Sequence, residues 1–277
     1  MPYVHANGIS IYYEQRGAGP PILLIHGGCS DATFWGSAVD ELAAVGRVII
    51  YDRRGCSRSE RPDPYRSTSP GEQAADAAGL LEVLDAVPAV VIGRSLGGMV
   101  ALELARAHPQ LVRGLVLLEP APSGLSPDAD AAMEALAARI RAAARTRGIE
   151  AVAETLMRVV LHDAGWEDLP ETIRQRLTAN GATLLVELDM PQPEIPDPTV
   201  LRDIAQPVLV VGGLESPPMF EDVNRALVRW LPDARLVHVQ GGHRISPAGP
   251  EVVSFVREVL HNEQREAVPG HIGANLS

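Results

Sequence analysis

Lysine is absent. All 24 basic residues among the 277 are arginine, so Schiff-base chemistry and a phosphate-loop lysine are excluded at once. Cysteine is scarce as well. Cys29 and Cys56 are too few and too isolated for a disulfide framework or a metal cluster, and two buried thiols in a reducing compartment are the expectation. No run approaches ~18 apolar residues, and the opening MPYVHANGISIYYEQ has no charged stretch followed by an apolar one. Neither a membrane span nor a secretory signal is read, and a cytoplasmic protein is expected. Positive charge is short too: a net charge of -11 argues against nucleic acid or an anionic membrane surface as partner, since both need a positive field.

What is present is an alternation. PILLIH (21–26), ATFWGSAVDELAA, RVIIYD (47–52), SPGEQAADAAGLLEVLDA, AVVIG, LGGMVALELARAH and LVRGLVLLE read as strand, helix, strand, helix. That rhythm requires right-handed crossovers and a parallel sheet covered on both faces. After EPAPSG the pattern becomes helical only. One helix runs from Ser126 as N-cap and Pro127 at the first position to a stop at Gly148, a second is IEAVAETLMRVVLHDAG, and a third starts at Pro170. PQPEIPDP (191–198) reads as a stiff extended return, and strand–helix alternation then resumes through PEVVSFVREVL. The expected layout is an α/β core over 1–121 and 200–262, a helical cap inserted over 122–199, and a flexible tail over 263–277.

The junction VVIGRSLGGMVAL (90–102) places a polar residue, Ser95, where an apolar strand ends and an apolar helix begins. A serine on so sharp a turn has its hydroxyl lifted clear of the sheet, and the residues two before and two after it must be small; Gly93 and Gly97 hold those positions. The following helix aims its N-terminus at the site, so the amide of Leu96 and the helix dipole favour a developing oxyanion. A hydroxyl needs a base. Among eight histidines His243 is the best candidate, because it follows the last strand in a glycine loop at the carboxyl edge of the sheet. His238 reads as a core histidine, and His5, His108, His162, His261 and His271 as surface, core or tail residues.

Four motifs together, Gly93-Arg94-Ser95-Leu96-Gly97, Leu24-Ile25-His26-Gly27-Gly28, Tyr51-Asp52-Arg53-Arg54-Gly55-Cys56-Ser57 and Gly241-Gly242-His243, resemble those of the α/β-hydrolase superfamily over nearly the whole chain. The resemblance implies an α/β-hydrolase fold, a mostly parallel, doubly wound sheet with an inserted helical cap. It implies Ser95 as nucleophile, His243 as base, an oxyanion hole from the backbone amides of Gly28 and Leu96, and a structural role for His26. Arg94 reads either as an orienter of a substrate carbonyl or as a structural hydrogen-bonding residue, Cys56 as a small packing residue, and Phe34 and Trp35 as helix-core anchors.

The acid is less plain. Most members of the superfamily carry an aspartate in a G-x-x-D turn after the strand that here reads PVLVVGG, whereas this chain continues Gly212-Gly213-Leu214-Glu215-Ser216. Glu215 is therefore the alternative acid. Glu119, ending the strand that follows the nucleophile helix, is the favoured one, because a glutamate on an otherwise apolar strand end needs a partner. Zearalenone-type lactonases use a carboxylate after this strand, and the chain resembles them in NGISIYYEQRGAGP, in the serine-to-glutamate spacing and in VGGLESPPMFEDV. Where those lactonases place a cap tryptophan, RLTANGATLLVELDM offers Leu184 and Leu185.

The expected activity is cofactor-free and metal-free hydrolysis of a small-molecule carboxylic ester or lactone through an acyl-enzyme, with a macrolactone such as zearalenone among the substrates. His243 is expected to titrate near the ordinary value of about 6.5, shifted upward by an ionised partner carboxylate. Two alternatives stand beside this. One is a receptor-like protein that binds a ligand without turnover, and the other a lyase or cofactor-free oxygenase on the same triad. Epoxide hydrolysis and dehalogenation are disfavoured, since both need an aspartate nucleophile and the cap segment contains no tyrosine. A homodimer paired through the cap is left open.

Overall fold

The computed structural model describes residues 2–191, 194–195 and 197–266, with side chains through residue 261. In chain order its elements are β1 (Tyr3–Ala6), β2 (Ile9–Arg16), β3 (Pro21–Ile25), α1 (Ala38–Ala43), β4 (Arg47–Tyr51), α2 (Pro70–Val83), β5 (Ala89–Arg94), α3 (Leu96–Ala107) and β6 (Val112–Leu118). Then come α4 (Pro127–Arg147), α5 (Ala151–Val160), α6 (His162–Glu167), α7 (Glu171–Ala179), α8 (Gly181–Leu188), β7 (Val208–Gly213), α9 (Pro218–Trp230), β8 (Ala234–Val239) and α10 (Pro250–Glu266). The strands form one sheet ordered β1-β2-β4-β3-β5-β6-β7-β8. From β4 to β8 every pairing is parallel, while β1 and β2 add antiparallel at one edge.

The period of two along each strand divides the core between the two faces. Leu23, Ile25, Ile49, Val91, Leu115 and Leu117 pack with residues of α2, α3 and α9 on one side. Ile22, Leu24, Val48, Ile50, Val90, Ile92, Val116 and Leu118 pack with Val39 and Leu42 of α1 and Val252, Phe255 and Val256 of α10 on the other. Strands buried on both faces read as continuous apolar runs for this reason, and the functional loops then collect at their carboxyl ends. Among the described residues no helix is long and apolar enough to cross a membrane.

Several local expectations need correction. The second and third helices of the inserted segment are each broken in two. The first break falls at Leu161, where His162 adopts φ 60°, and the second at Asn180. The edge hairpin of β1 and β2 was not anticipated. His238 is exposed and pairs with Glu221 at 2.8 Å, because the outer strand β8 leaves it uncovered. Helix α10 runs on through Glu266, into the segment read as a tail; residues 267–277, and Gln192, Pro193 and Pro196 of the extended return, lie outside the described residues. Ser126 and Gly148 do bound α4, the serine accepting a hydrogen bond from the Ala129 amide at 3.5 Å.

Candidate active site

Three strand ends carry the candidate residues. Ser95 follows β5 with φ 53° and ψ -122°, a region that a non-glycine residue occupies at a cost of about 1–3 kcal/mol and that clusters at functional sites. The turn is held on all sides. The Ser95 amide donates to the Leu118 carbonyl at 3.0 Å and the Ser95 carbonyl accepts from the Gly98 amide at 2.8 Å. A Cβ on Gly97 would run into the carbonyls of Ile25 and His26, one on Gly93 into the Gly97 carbonyl, and one on Gly98 would lie 2.7 Å from Cβ of Pro120. The glycines therefore serve the close approach of backbone to backbone at this hinge.

Glu119 follows β6, and it too has a positive φ, 46°. Its amide donates to the Val211 carbonyl at 3.1 Å. Its carboxylate, 1% exposed, accepts from the Gly213 amide at 2.7 Å through Oε1 and from His243 Nδ1 at 2.6 Å through Oε2. With Oε2 as acceptor, the second bond places the imidazole proton on Nδ1 and leaves Nε2 as the basic nitrogen. Glu215, by contrast, is exposed, and its carbonyl accepts from His162 Nε2 at 3.0 Å.

His243 is buried, and Phe220 of α9 stacks on its ring with centroids 4.2 Å apart and planes at 22°. Burial pulls its pKa below the ordinary histidine value, overcoming the upward pull of Glu119, with the Arg94 guanidinium adding to the decrease. The upward shift anticipated from the carboxylate alone is thus reversed, since Phe220 and the surrounding loops strip water from the imidazolium.

Ser95 and His243 line one small cavity of about 40 Å³ together with Gly27, Gly28, Phe34, Arg94, Leu156 and Arg244. Ser95, Gly28 and Leu96 also line a larger one of about 710 Å³ that extends beneath α4, α5 and α8. The serine thus stands where two chambers meet, with Gly28 and Leu96 lining the larger one beside it. Phe34 faces the small chamber rather than serving only as an anchor. Trp35 is buried under Arg94, whose Cζ lies 4.6 Å from its ring centroid. Arg94 itself donates to the Ile245 carbonyl, the structural role, and burial, with the nearby Arg244 charge, lowers its pKa to about 10.

The loop after β3 is fixed from below. His26 accepts from the Arg53 amide at 2.9 Å through Nε2 and donates from Nδ1 to the Gly27 carbonyl at 2.9 Å. Burial and the Arg53 charge hold it neutral, with a pKa of about 4. From above, Asn180 donates from Nδ2 to the Ser30 carbonyl at 3.0 Å and accepts from the Ser57 amide at 2.8 Å. The break before α8 therefore straps that helix to the loop, and Leu184 closes over Gly28: a Cβ there would lie 3.0 Å from Leu184 Cδ1. Cys29 and Cys56 are buried, and burial raises both thiols far above the reactive range.

Three residues of the site escaped the sequence reading. Phe220 sits on the amphipathic α9 and carries no motif. Arg53 was read only as part of the turn after β4, and Glu187 only as part of a leucine-rich cap segment. Yet Arg53 and Glu187 form a fully buried ion pair across 134 residues. The signal available was a lone carboxylate in the apolar run GATLLVEL of α8. Among the described residues no group of three or more His, Cys, Asp or Glu side chains is placed to hold a metal ion.

Similar proteins can now be set beside this geometry. A protein of Azorhizobium caulinodans provisionally named carbamate hydrolase RutD is 42% identical over 118 residues, 43% of this chain and 44% of that protein. A zearalenone hydrolase of Bionectria ochroleuca is 34% identical over 116 residues, 41% of this chain and 44% of that protein. These matches span less than half the length of either relative. The solved structure of Est816, described as an N-acyl homoserine lactone degrading enzyme, superposes with a TM-score of 0.70 at 27% identity, covering 94% of this chain and 99% of that one. The family model for the alpha/beta hydrolase fold matches residues 20–247, and the chain belongs to that family.

Proposed function

We propose that this chain is a serine hydrolase of carboxylic esters or lactones, with Ser95 as nucleophile, His243 as general base and Glu119 as the orienting acid. The observation that carries the reading is the Glu119 carboxylate. It is held on one oxygen by the Gly213 amide and bonded through the other to His243 Nδ1, in a cavity wall that His243 shares with Ser95.

In this reading His243 Nε2 takes the Ser95 proton as Oγ attacks the substrate carbonyl. The tetrahedral oxyanion is met by the amides of Gly28 and Leu96, with the positive end of α3 behind the latter. Collapse breaks the ester bond, and the proton on Nε2 passes to the departing alkoxide. Water, deprotonated by the same nitrogen, then attacks the acyl-serine and releases the acid. Glu119 accepts from Nδ1 throughout, stabilising the imidazolium and fixing its tautomer. Helices α4 to α8 act as a cap, of which α4, α5 and α8 line the larger chamber with Met133, Leu136, Ile140, Leu156 and Leu184, opposite Leu96 and Met99 of α3. Such lining favours substrates with an apolar body. The description of Est816 as an N-acyl homoserine lactone degrading enzyme and the name of the Bionectria zearalenone hydrolase support that class, zearalenone-like macrolactones included.

A fluorophosphonate labelling experiment, followed by turnover of p-nitrophenyl esters and a lactone panel, tests the reading. The expected result is stoichiometric labelling at Ser95, hydrolysis of at least one substrate class, and loss of both in Ser95→Ala with the circular dichroism spectrum unchanged. Binding of the panel without turnover or labelling would instead mark a receptor-like protein and overturn the proposal.

A further inference from the structure

The two chambers that meet at Ser95 differ in charge. Asp130, Glu134 and Glu194 are among the residues of the larger one, where the basic residue is Arg141, itself paired with Asp189 at 3.1 Å and facing Glu134 at 3.6 Å. The smaller one is lined by two arginines, Arg94 and Arg244, and by no aspartate or glutamate.

The bond to the Ile245 carbonyl accounts for only one edge of the Arg94 guanidinium, through Nη2. Nε is buried without a partner. Nη1 makes no hydrogen bond among the described residues either, but unlike Nε it is not shut off from solvent, so it is the edge left open. Arg94 Cζ lies 5.8 Å from the Phe34 ring centroid and Arg244 Cζ 5.5 Å from the same centroid, and Phe34 and Arg244 both line the smaller chamber. The guanidinium therefore stands in the chamber wall.

Arg94 is only 7% exposed, and a buried cation without a counter-charge is unfavourable. Glu119, whose charge supports it, is already committed to the Gly213 amide and to His243. Arg244 is exposed, forms no ion pair among the described residues, and adds a like charge. An anion entering the smaller chamber would answer both arginines at once.

Which end of the substrate brings that anion follows from His243, which lines the smaller chamber and not the larger. The departing alkoxide takes its proton from His243 Nε2, so the alcohol side of the ester occupies the smaller chamber and the acyl side the larger, apolar one. At about 40 Å³ the smaller chamber suits a short group.

Building on the serine-hydrolase reading, we propose that Arg94 and Arg244 are specificity-determining residues that bind a carboxylate on the leaving-group side of the substrate, and that the chain favours apolar acyl esters of short 2-hydroxycarboxylic acids. Hydrolysis breaks the acyl C–O bond of such an ester, adds water across it, and releases the apolar carboxylic acid and the free hydroxycarboxylate. The carboxylate sits where Arg94 Nη1 donates to it, with Arg244 at the rim. Neutral alcohols of the same size leave the buried cation uncompensated.

The test compares O-hexanoyl glycolate with O-hexanoyl glycolamide, which has the same shape and no charge, each normalised to its alkaline hydrolysis rate. The wild-type protein should favour the glycolate ester in kcat/KM by roughly ten- to a hundredfold. Arg94→Gln keeps a donor for the Ile245 carbonyl but removes the charge, and the preference should fall to near unity. Arg244→Gln, on the surface, should lower it several-fold and serves if Arg94→Gln does not fold. No glycolate preference in the wild type, or one unchanged in Arg244→Gln and in any folded Arg94→Gln, overturns the assignment. Calorimetric binding of the two esters to Ser95→Ala reads the same preference without turnover. Tighter binding of the glycolate ester beside a wild type that hydrolyses neither would overturn the serine chemistry and uphold the anion site, whereas equal binding of the two overturns the site itself.

Discussion

Glu119 and His243, 124 residues apart in the chain, are joined by a 2.6 Å hydrogen bond from His243 Nδ1 to Glu119 Oε2, with the second carboxylate oxygen closed by the Gly213 amide. The Glu119 carboxylate thus reaches the imidazole from the end of β6, one strand away from the turn after β7 that usually carries such a carboxylate. The β7 turn still contributes, but through its backbone amide rather than a side chain.

The pH profile follows from the burial of His243. Only the neutral imidazole can take the serine proton, so kcat/KM should rise with pH through the His243 ionisation and then level off. Burial places that ionisation below the ordinary histidine value, so activity should persist into more acidic buffer than an exposed histidine would allow. A kcat/KM titration on one ester checks this; a midpoint above about 6.5 would contradict the dominance of burial.

His26 links pH to stability with a definite sign. Its folded pKa of about 4 lies below the unfolded value, so the native state binds fewer protons than the unfolded chain. Its contribution is complete above about 6.5 and declines as pH falls from there toward about 4. Thermal melts across that window should show a shallower pH dependence for His26→Gln than for wild type. Equal slopes would remove His26 as the source.

The Arg53–Glu187 pair should behave as one unit. Arg53→Met leaves Glu187 as an uncompensated buried charge and should cost about 3–5 kcal/mol. In Arg53→Met/Glu187→Met most of that loss should return, since both charges leave together. Urea denaturation of the single and double variants reads the coupling, and strictly additive losses would contradict it.

Substitutions in the turn at Ser95 should separate chemistry from folding. Ser95→Ala should melt close to wild type while losing hydrolysis, whereas Gly97→Val places a branched side chain against the carbonyls of Ile25 and His26 and should lower the melting temperature as well as the rate. A folded, fully active Gly97→Val protein would show that the turn has more room than its geometry allows.

The fold was legible because apolar runs, glycine hinges and capping residues are local signals: Ser95 between Gly93 and Gly97, Ser126 as N-cap, and continuous apolar runs for doubly covered strands. Glu119 was legible as a carboxylate stranded at an apolar strand end. What was not legible depends on long-range contact. The breaks at Leu161 and Asn180 are set by tertiary hydrogen bonds, Asn180 reaching the carbonyls of Cys29 and Ser30. The direction of the His243 shift rests on Phe220 and burial, which spacing does not encode. Arg53 and Glu187, 134 residues apart, meet only in the tertiary structure.

The account stands on which carboxylate orients His243, and one paired measurement decides it: kcat/KM of Glu119→Gln and Glu215→Gln on the same ester, with circular dichroism confirming that both are folded. Glu119→Gln offers His243 Nδ1 an amide in place of the carboxylate, and by analogy with amide-for-acid changes in serine proteases it should lose roughly 10⁴-fold. Glu215, exposed on its loop, should tolerate the same change with little loss. A crippled Glu215→Gln beside a nearly normal Glu119→Gln would contradict the account.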